Sequence, residues 1–362
     1  MPAARAELVA QWIERFAPRA AFRAIVAADG GQYVAALPLV GRKLAGCIPA
    51  GGLPANEWVS GGDLLVDPTA DVDAAIDLLA AAVRNLPWPL LWLDEAPLET
   101  TRWQSLHWAF GRAAAATLAT VQYRVAQIDV GDDWESYRRS WSRKHRQNMA
   151  SAERRLGGRG DVRLATLCDL APQEVEVWLR RGFEVEHRGW KGRAGSSVLA
   201  APGIYPFFAA QARQLAEWRQ LELNFLEAGG RPIAFAYGMA AKGVYHSCKI
   251  GYDPEYADYS PGQLLRCRML ERFYASGECR RLDCQGPLSA AHAAWRPATY
   301  GVGRLVVAPG RRLGRAVLES YRRLRPLVRR LRGAGGGFDQ RQFDADQRSP
   351  AGCAVDGGRA AE

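Results

Sequence analysis

Residues 221–265 read LELNFLEAGGRPIAFAYGMAAKGVYHSCKIGYDPEYADYSPGQLL. Three β-prone runs, LELNFLE, PIAFAYGMA and VYHSCKIGY, are separated by the glycine turns AGGR and AKG, which is the pattern of an antiparallel meander. A loop, DPEYADYSPG, then opens a helix through QLLRCRMLERFYASG. Ser260 is placed to cap that helix and Pro261 suits its first turn, so the amides of Gly262 and Gln263 are expected to stay free at a terminus that attracts anions. Strands RRLDC and GRLVVAP follow. Ahead of the meander stand a strand DVRLATL, a helix over 172–186 with Asp169 placed to cap it, the loop HRGWKGRAGSS, and a helix through PFFAAQARQLAEW.

The N-terminal part has a different rhythm. A helix over 5–16 precedes strands FRAIVAA and QYVAALPLV around the turn Asp29-Gly30-Gly31, and a loop rich in glycine and proline, GCIPAGGLPANEWVSGG. A helix over 71–85, strand PLLWLDE, a helix over 100–110 and the long strand TLATVQYRVAQIDV complete it. Antiparallel hairpins mixed with helices give an α+β unit in each part. The expected divisions are 1–125, 126–310, a basic amphipathic helix at 311–332, and a disordered tail at 333–362 rich in Gly, Ala, Asp and Gln.

At 362 residues, 48% hydrophobic and 24% charged, the chain is long enough for two globular domains. No apolar run approaches the roughly 20 residues that span a bilayer, and MPAARAELVAQWIERF lacks the basic-then-apolar order of a secretion signal, so a cytoplasmic location is expected. Seven cysteines with no CxxC pair suggest neither a disulfide framework nor a zinc site, and no metal is expected. The net charge of +10 is uneven: 309–332 holds nine arginines against one glutamate, and 142–156 holds five bases against one acid. Local basicity favours particular anion-facing surfaces. No zinc finger, RNP or KH signature speaks for nucleic acid.

The second basic stretch, SRKHRQNMASAERRLGGRGDV, covers 142–162. At about 100° per residue it gathers Trp141, His145, Met149, Ala152 and Leu156 into an apolar stripe and turns Arg139, Arg143, Arg146 and Arg154 away from it. Gly157 is placed to end the helix at positive φ. Such a face either binds an anionic group or is merely solvated. The other basic stretch forms a helix with an apolar stripe of Leu313, Val317, Tyr321, Leu324, Val328 and Leu331 and a kink at Pro326. Its two readings are docking on the second half and attachment to an anionic membrane surface.

Smaller constellations carry further chemistry. In WKGRAGSS, small residues would let a phosphate or sugar approach the backbone while Lys191 and Arg193 supply charge. Alternation in VYHSCKIG puts Val244, His246, Cys248 and Ile250 on one face and Tyr245, Ser247 and Lys249 on the other. Burial of Asp283 in RRLDC would raise its pKa toward a range useful for proton transfer. Each is equally readable as structure: a surface loop, a core histidine, a carboxylate capping a loop.

Taken together, WSRKHRQNMASAERRL, EHRGWKGRAGSSVL, GGRPIAFAYG, YHSCKIGYDPEYADYSPGQLL and RRLDCQG with Trp295 downstream resemble the CelD/BcsL type of GNAT acetyltransferase domain, a group related in fold to the FemAB peptidyltransferases. The resemblance covers about residues 20–310 and implies two GNAT-like halves side by side. The first would be degenerate; the second would hold the active cleft, where the strand before the SPG helix splays from the strand after it. It implies acetyl-CoA or another acyl-CoA as co-substrate and an amine of a sugar, polysaccharide or envelope precursor as acceptor. Asp283, His246 and Lys249 become candidates for catalysis, and Tyr259, Ser260, Pro261, Gly262 and Gln263 for the cofactor. Arg143, Lys144, Arg146, Asn148, Trp190, Lys191, Tyr252 and Asp253 become candidates for the substrate. Two features depart from the pattern: the usual pyrophosphate motif is missing, and Cys284 with AAHAAW stands where relatives carry Phe and a Tyr-Lys pair. Transfer from aminoacyl-tRNA and a non-catalytic role in a polysaccharide-synthesis complex therefore stay open.

Overall fold

Hairpin and meander signals produce strands where alternation and turn residues place them. The computed structural model describes residues 2–59, 63–310 and 312–333, with side chains as far as Leu324. The first half comprises α1 (Ala6–Phe16), β1 (Phe22–Asp29), β2 (Gln32–Leu44), β3 (Ile48–Gly52), β4 (Leu65–Val66), α2 (Val72–Ala82), β5 (Leu91–Ala96), α3 (Thr101–Arg112) and β6 (Ala116–Asp129). The second continues with α4 (Trp134–Ser140), α5 (Arg143–Gly157), β7 (Val162–Leu167), α6 (Pro172–Arg188), α7 (Trp190–Arg193), α8 (Ile204–Glu217), β8 (Leu221–Ala228), β9 (Arg231–Ala241) and β10 (Val244–Tyr252). It closes with α9 (Pro261–Ser276), β11 (Arg281–Pro287), α10 (Ala290–Ala293), β12 (Ala298–Ala308) and α11 (Arg312–Gly333).

Among the described residues all twelve strands belong to one sheet in the order β1-β2-β3-β5-β12-β6-β11-β10-β9-β8-β7, with β4 paired to β2. In the first half Ile76 and Leu79 of α2 and Trp103 and Phe110 of α3 close over Leu37, Leu39, Leu93 and Leu305. In the second, Phe183 of α6 and Phe208 of α8 cover one face through Phe225, Phe235 and Tyr237. Leu156 of α5 and Phe273 of α9 cover the other through Ala234 and Tyr245. The result is the expected α+β architecture of two GNAT-like halves side by side.

The chain ends cross between the halves. Strand β12 inserts between β5 and β6 in the first half's part of the sheet, while Leu8 and Trp12 of α1 pack into the second half's core beside α8. Residue 125, the expected boundary, falls inside β6, whose Val125 pairs with Tyr300 on one edge and Pro287 on the other. Because α11 follows β12, it is carried to the first half: Val317, Leu318 and Tyr321 pack with Trp92, Leu118 and Val306. Docking on the second half is thereby corrected. Leu313 and Leu324 of the expected stripe are exposed, while Val328, Leu331 and Pro326 lie outside the described side chains, as does the expected tail from residue 334 onward.

Other local expectations change for steric reasons. IPAGG, expected as loop, is strand β3, paired with β2 from Val40–Gly52 to Leu44–Ile48, and its Gly51 admits the indole of Trp88, whose nearest ring atom lies 2.4 Å from where a Cβ would stand. Helix α5 runs through Gly157, and the positive φ falls at Gly160 instead. Asp169 does not cap α6; the Glu174 carboxylate accepts from the Ala171 amide at 3.2 Å. Among the described residues no helix is long and apolar enough to cross a membrane.

Docking of α11 rests on few side chains, so Leu318→Ala should lower unfolding free energy by about 2–5 kcal/mol, whereas exposed Leu313→Ala should stay within about 0.5 kcal/mol. Equilibrium denaturation of the two variants measures both; equal effects would mean that α11 is not held through Leu318.

Candidate active site

Parallel strands β10 and β11 pair only through Val244 with Arg281, Tyr245 with Leu282 and His246 with Asp283. Beyond that point they part, as expected for the strands flanking the SPG helix. A cavity of about 730 Å³ opens there. The second half contributes Trp190, Lys191, Lys249, Tyr252 and Arg266 to its wall, and the first half contributes Glu57, Trp58, Glu95 and Tyr123. Its volume lies in the range of small-molecule and cofactor sites.

A β-bulge decides which side chains of β10 look into this space. Ser247 pairs with Gly238 and Lys249 with Tyr237, so Cys248 is the extra residue. Two residues then oppose one, and the strict alternation expected for VYHSCKIG breaks. Tyr245 still packs on Phe273 of α9, but Lys249 turns to the opposite face, where its Nζ lies 5.1 Å from the Trp58 ring centre and 5.4 Å from that of Phe208. Burial pulls the Lys249 ammonium down to about 8, and the nearby Lys191 charge acts in the same direction.

Lys191 is fixed by the corner that follows α6. Its Nζ donates to Glu186 Oε1 at 2.8 Å and to the Ile250 carbonyl at 3.3 Å, while Glu186 Oε2 accepts from the Val198 amide at 3.1 Å. Gly192 makes the corner possible: a Cβ there would sit 1.7 Å from the His187 carbonyl oxygen. Expected as loop, WKGR forms the single turn α7, and Trp190 and Lys191 face the cavity from it.

Asp283 is held behind the cavity wall. It is 4% exposed; its carboxylate accepts from Gln127 Nε2 at 2.9 Å, from the Gln285 amide at 3.0 Å and from the Tyr300 hydroxyl at 3.2 Å. These donors come from β6, β11 and β12, so the carboxylate ties the seam between the halves. Its neighbour His246 has Nδ1 3.3 Å from Gln285 Nε2, and burial holds the imidazole neutral, down to about 4, against the opposing pull of Asp283. Neither side chain lines the cavity.

At the SPG corner Ser260 adopts φ 51° and its hydroxyl makes no capping bond. Its carbonyl instead accepts from the amides of Gln263 and Leu264, so of the two amides expected to be free only that of Gly262 remains so among the described residues. Ser260, Pro261, Gly262 and Gln263 line the cavity, with Gln263 Oε1 accepting from Trp295 Nε1 at 2.6 Å. Tyr259 turns away toward α5: its hydroxyl accepts from Arg159 Nε at 2.9 Å. One turn further along α9 stands Arg266, which sequence reasoning missed. It is 8% exposed, lines the cavity, and has no hydrogen bond or ion pair among the described residues.

The basic helix is not part of this wall. Its expected apolar stripe is correct, with Trp141, His145, Met149, Ala152 and Leu156 all buried. Arg143, Lys144 and Asn148 are exposed and Arg146 donates to the Arg139 carbonyl at 2.9 Å, ending α4; none of the four lines the cavity. Asp253 is also structural, accepting from Arg188 Nε and an Arg231 amino group, both at 2.8 Å. Missed beside Arg266 were Glu57, Trp58, Glu95 and Tyr123. They belong to the half expected to be degenerate, and no spacing in the sequence connects them to β10.

Residues 143–293, the segment that supplies most of the cavity, match the acetyltransferase (GNAT) domain family. No curated protein matches it in sequence. Among solved structures, FemX is 11% identical over 82% of this chain and 90% of its own, with a TM-score of 0.56. A conserved protein of unknown function from Bacteroides thetaiotaomicron is 12% identical over 83% and 89%, with a TM-score of 0.51. At such identities the likeness is one of fold.

The lowered Lys249 pKa has a thermodynamic signature. Above about pH 8 the folded protein releases the Lys249 proton while the unfolded chain still holds it, so this group makes stability rise with pH up to the ordinary lysine range. Unfolding free energies measured from pH 7 to 10 should show that rise in the unaltered protein and lose it in Lys249→Met; parallel curves would place the ammonium in ordinary solvent.

Proposed function

We propose that the protein transfers an acyl group from a coenzyme A thioester to an amine. The neutral amine attacks the thioester carbonyl, a C–N bond forms, the C–S bond breaks, and coenzyme A leaves as the thiolate. One observation carries this reading: the cavity opens where β10 and β11 part and is lined by a buried guanidinium, Arg266, that makes no ion pair among the described residues. An acyl-CoA has the complementary form, an extended amide-bearing arm with phosphates at one end. The edge of β10 beyond His246 has no strand partner, and such an edge accepts an extended amide chain as an added strand. The Gly262 amide at the start of the 16-residue α9 adds the positive end of a helix dipole.

The GNAT domain match over 143–293 supports N-acyl transfer as the reaction class. The five motifs quoted above favour an acceptor among the amines of sugars, polysaccharides and cell-envelope precursors, with acetyl as the acyl group. Lys249 at the bulge and Lys191 beside it would place positive charge where the carbonyl oxygen becomes an oxyanion, an interaction strongest in the transition state.

Acetyl-CoA at about 100 times its Kd should raise unfolding free energy by about 2.7 kcal/mol. Arg266→Gln should weaken acetyl-CoA binding about 10- to 100-fold, the worth of one charge-assisted contact, whereas Arg143→Ala with Lys144→Ala should leave it unchanged. Calorimetric titration measures both. Stabilisation by charged tRNA and not by acetyl-CoA would overturn the reading.

A further inference from the structure

The two walls of the cavity carry opposite charge. The second half presents Lys191, Lys249 and Arg266, whereas the carboxylates facing them come from the first half, Glu57 and Glu95. Glu186 and Asp258 of the second half also reach the wall, but the Glu186 oxygens are engaged by Lys191 and the Val198 amide, and Asp258 is exposed to solvent.

Glu95 differs from its sequence neighbour. Asp94 pairs with both Arg42 and Arg304, while Glu95 makes no ion pair among the described residues; its Oε2 accepts one hydrogen bond, from the Tyr123 hydroxyl. Its backbone sits at φ 61°, a conformation uncommon for a residue with a side chain, which turns it out of the β5 alternation into the cavity. Burial raises its carboxyl pKa above the usual carboxylate range; Asp94 on its own strand and Glu57 on the same wall push the same way, and Tyr123 and Arg304 push back. A half-buried carboxylate that makes no ion pair among the described residues suits a ligand that brings a cation.

We propose that Glu95, supplied by the first half, receives the ammonium group of the acceptor and removes its proton. This assignment rests on the acyl-transfer reading above and deepens it. An amine arrives at neutral pH as an ammonium without a lone pair. Glu95 takes one proton and becomes a carboxylic acid; the freed amine adds to the thioester carbonyl, forming the C–N bond of a tetrahedral intermediate whose C–S bond then breaks. The thiolate takes up the second nitrogen-bound proton that the tetrahedral intermediate sheds, and Glu95 returns its own proton to solvent. The other candidates are worse placed: Asp283 is covered by three donors and His246 does not line the cavity. Lys249 lies on the opposite wall, against Trp58 and Phe208. The first half is thus the acceptor side of the enzyme, and the acceptor class is a primary amine presented as a cation.

Two nucleophiles separate deprotonation from everything else: ethanolamine, an ammonium at neutral pH, and hydroxylamine, already neutral there. With acetyl-CoA as donor and the full chain, coenzyme A release should be followed for each. Glu95→Gln should lower kcat/KM for ethanolamine by about 10²-fold or more, the usual contribution of a general base, and leave the hydroxylamine rate and acetyl-CoA affinity within a few-fold. Tyr123→Phe removes a hydrogen bond to the charged carboxylate, raises its pKa, and should move the ascending limb of the ethanolamine pH profile upward. An equal loss with both nucleophiles, an unchanged ethanolamine rate, a base requirement lost in Lys249→Met instead, or no release with either probe while acetyl-CoA binds would each overturn the assignment. Failure of the unaltered protein to bind acetyl-CoA would overturn the acyl-transfer reading beneath it.

Discussion

A strand has two hydrogen-bonding edges, and β6 gives one to β12 and the other to β11. That division organises the molecule. One edge closes the first half's sheet with the last strand of the chain; the other ties that sheet to the second half. Strand β11 meets β6 antiparallel and β10 in parallel, and it stays with β10 only from Val244–Arg281 to His246–Asp283. The gap that follows is the cavity. Asp283 stands where the three strands are last together, and its bonds to Gln127 of β6 and Tyr300 of β12 tie β11 to the first half's sheet. Without that junction the walls of the site would have no fixed separation.

Local signals were legible wherever a side chain's fate depended on its near neighbours. The stripe from Trp141 to Leu156 is buried as the helical period required, the meander from β8 to β10 runs between its glycine turns, and the strands around the SPG helix part. What stayed hidden depended on distant partners. Gly51 belongs to a strand because β2 pairs with it, and it is glycine because Trp88 fills the place of its side chain. Lys249 faces the cavity because Cys248 bulges, and a bulge leaves no mark in a pattern of alternating residue types. Arg266 looks like any helical arginine until its lack of a carboxylate is seen in three dimensions. Glu95 required the knowledge that the first half forms a wall at all.

Charge density in the sequence and charge available to a ligand turn out to be different quantities. Helix α5 is the conspicuous basic segment, yet Arg146 serves the end of α4, Arg155 donates to the Asp258 carbonyl, and the exposed members stand in solvent away from the cavity. The cavity holds fewer bases, but low dielectric and poor compensation make each of them count for more. Counting residues locates surfaces; pairing them off locates sites.

The crossing of the chain ends also constrains the order in which the molecule can assemble. Helix α1 leaves the ribosome well before its partner α8, which begins at Ile204, so its apolar side stays uncovered while the elements between them are made. Strand β12, which separates β5 from β6, arrives after every strand of the second half. Neither half can reach its final form by itself during translation, since each lacks an element encoded at the far end of the other. Such long-range closure slows folding and prolongs the exposure of apolar surface, so nascent chains of this protein should rely on chaperones until residue 308 has emerged.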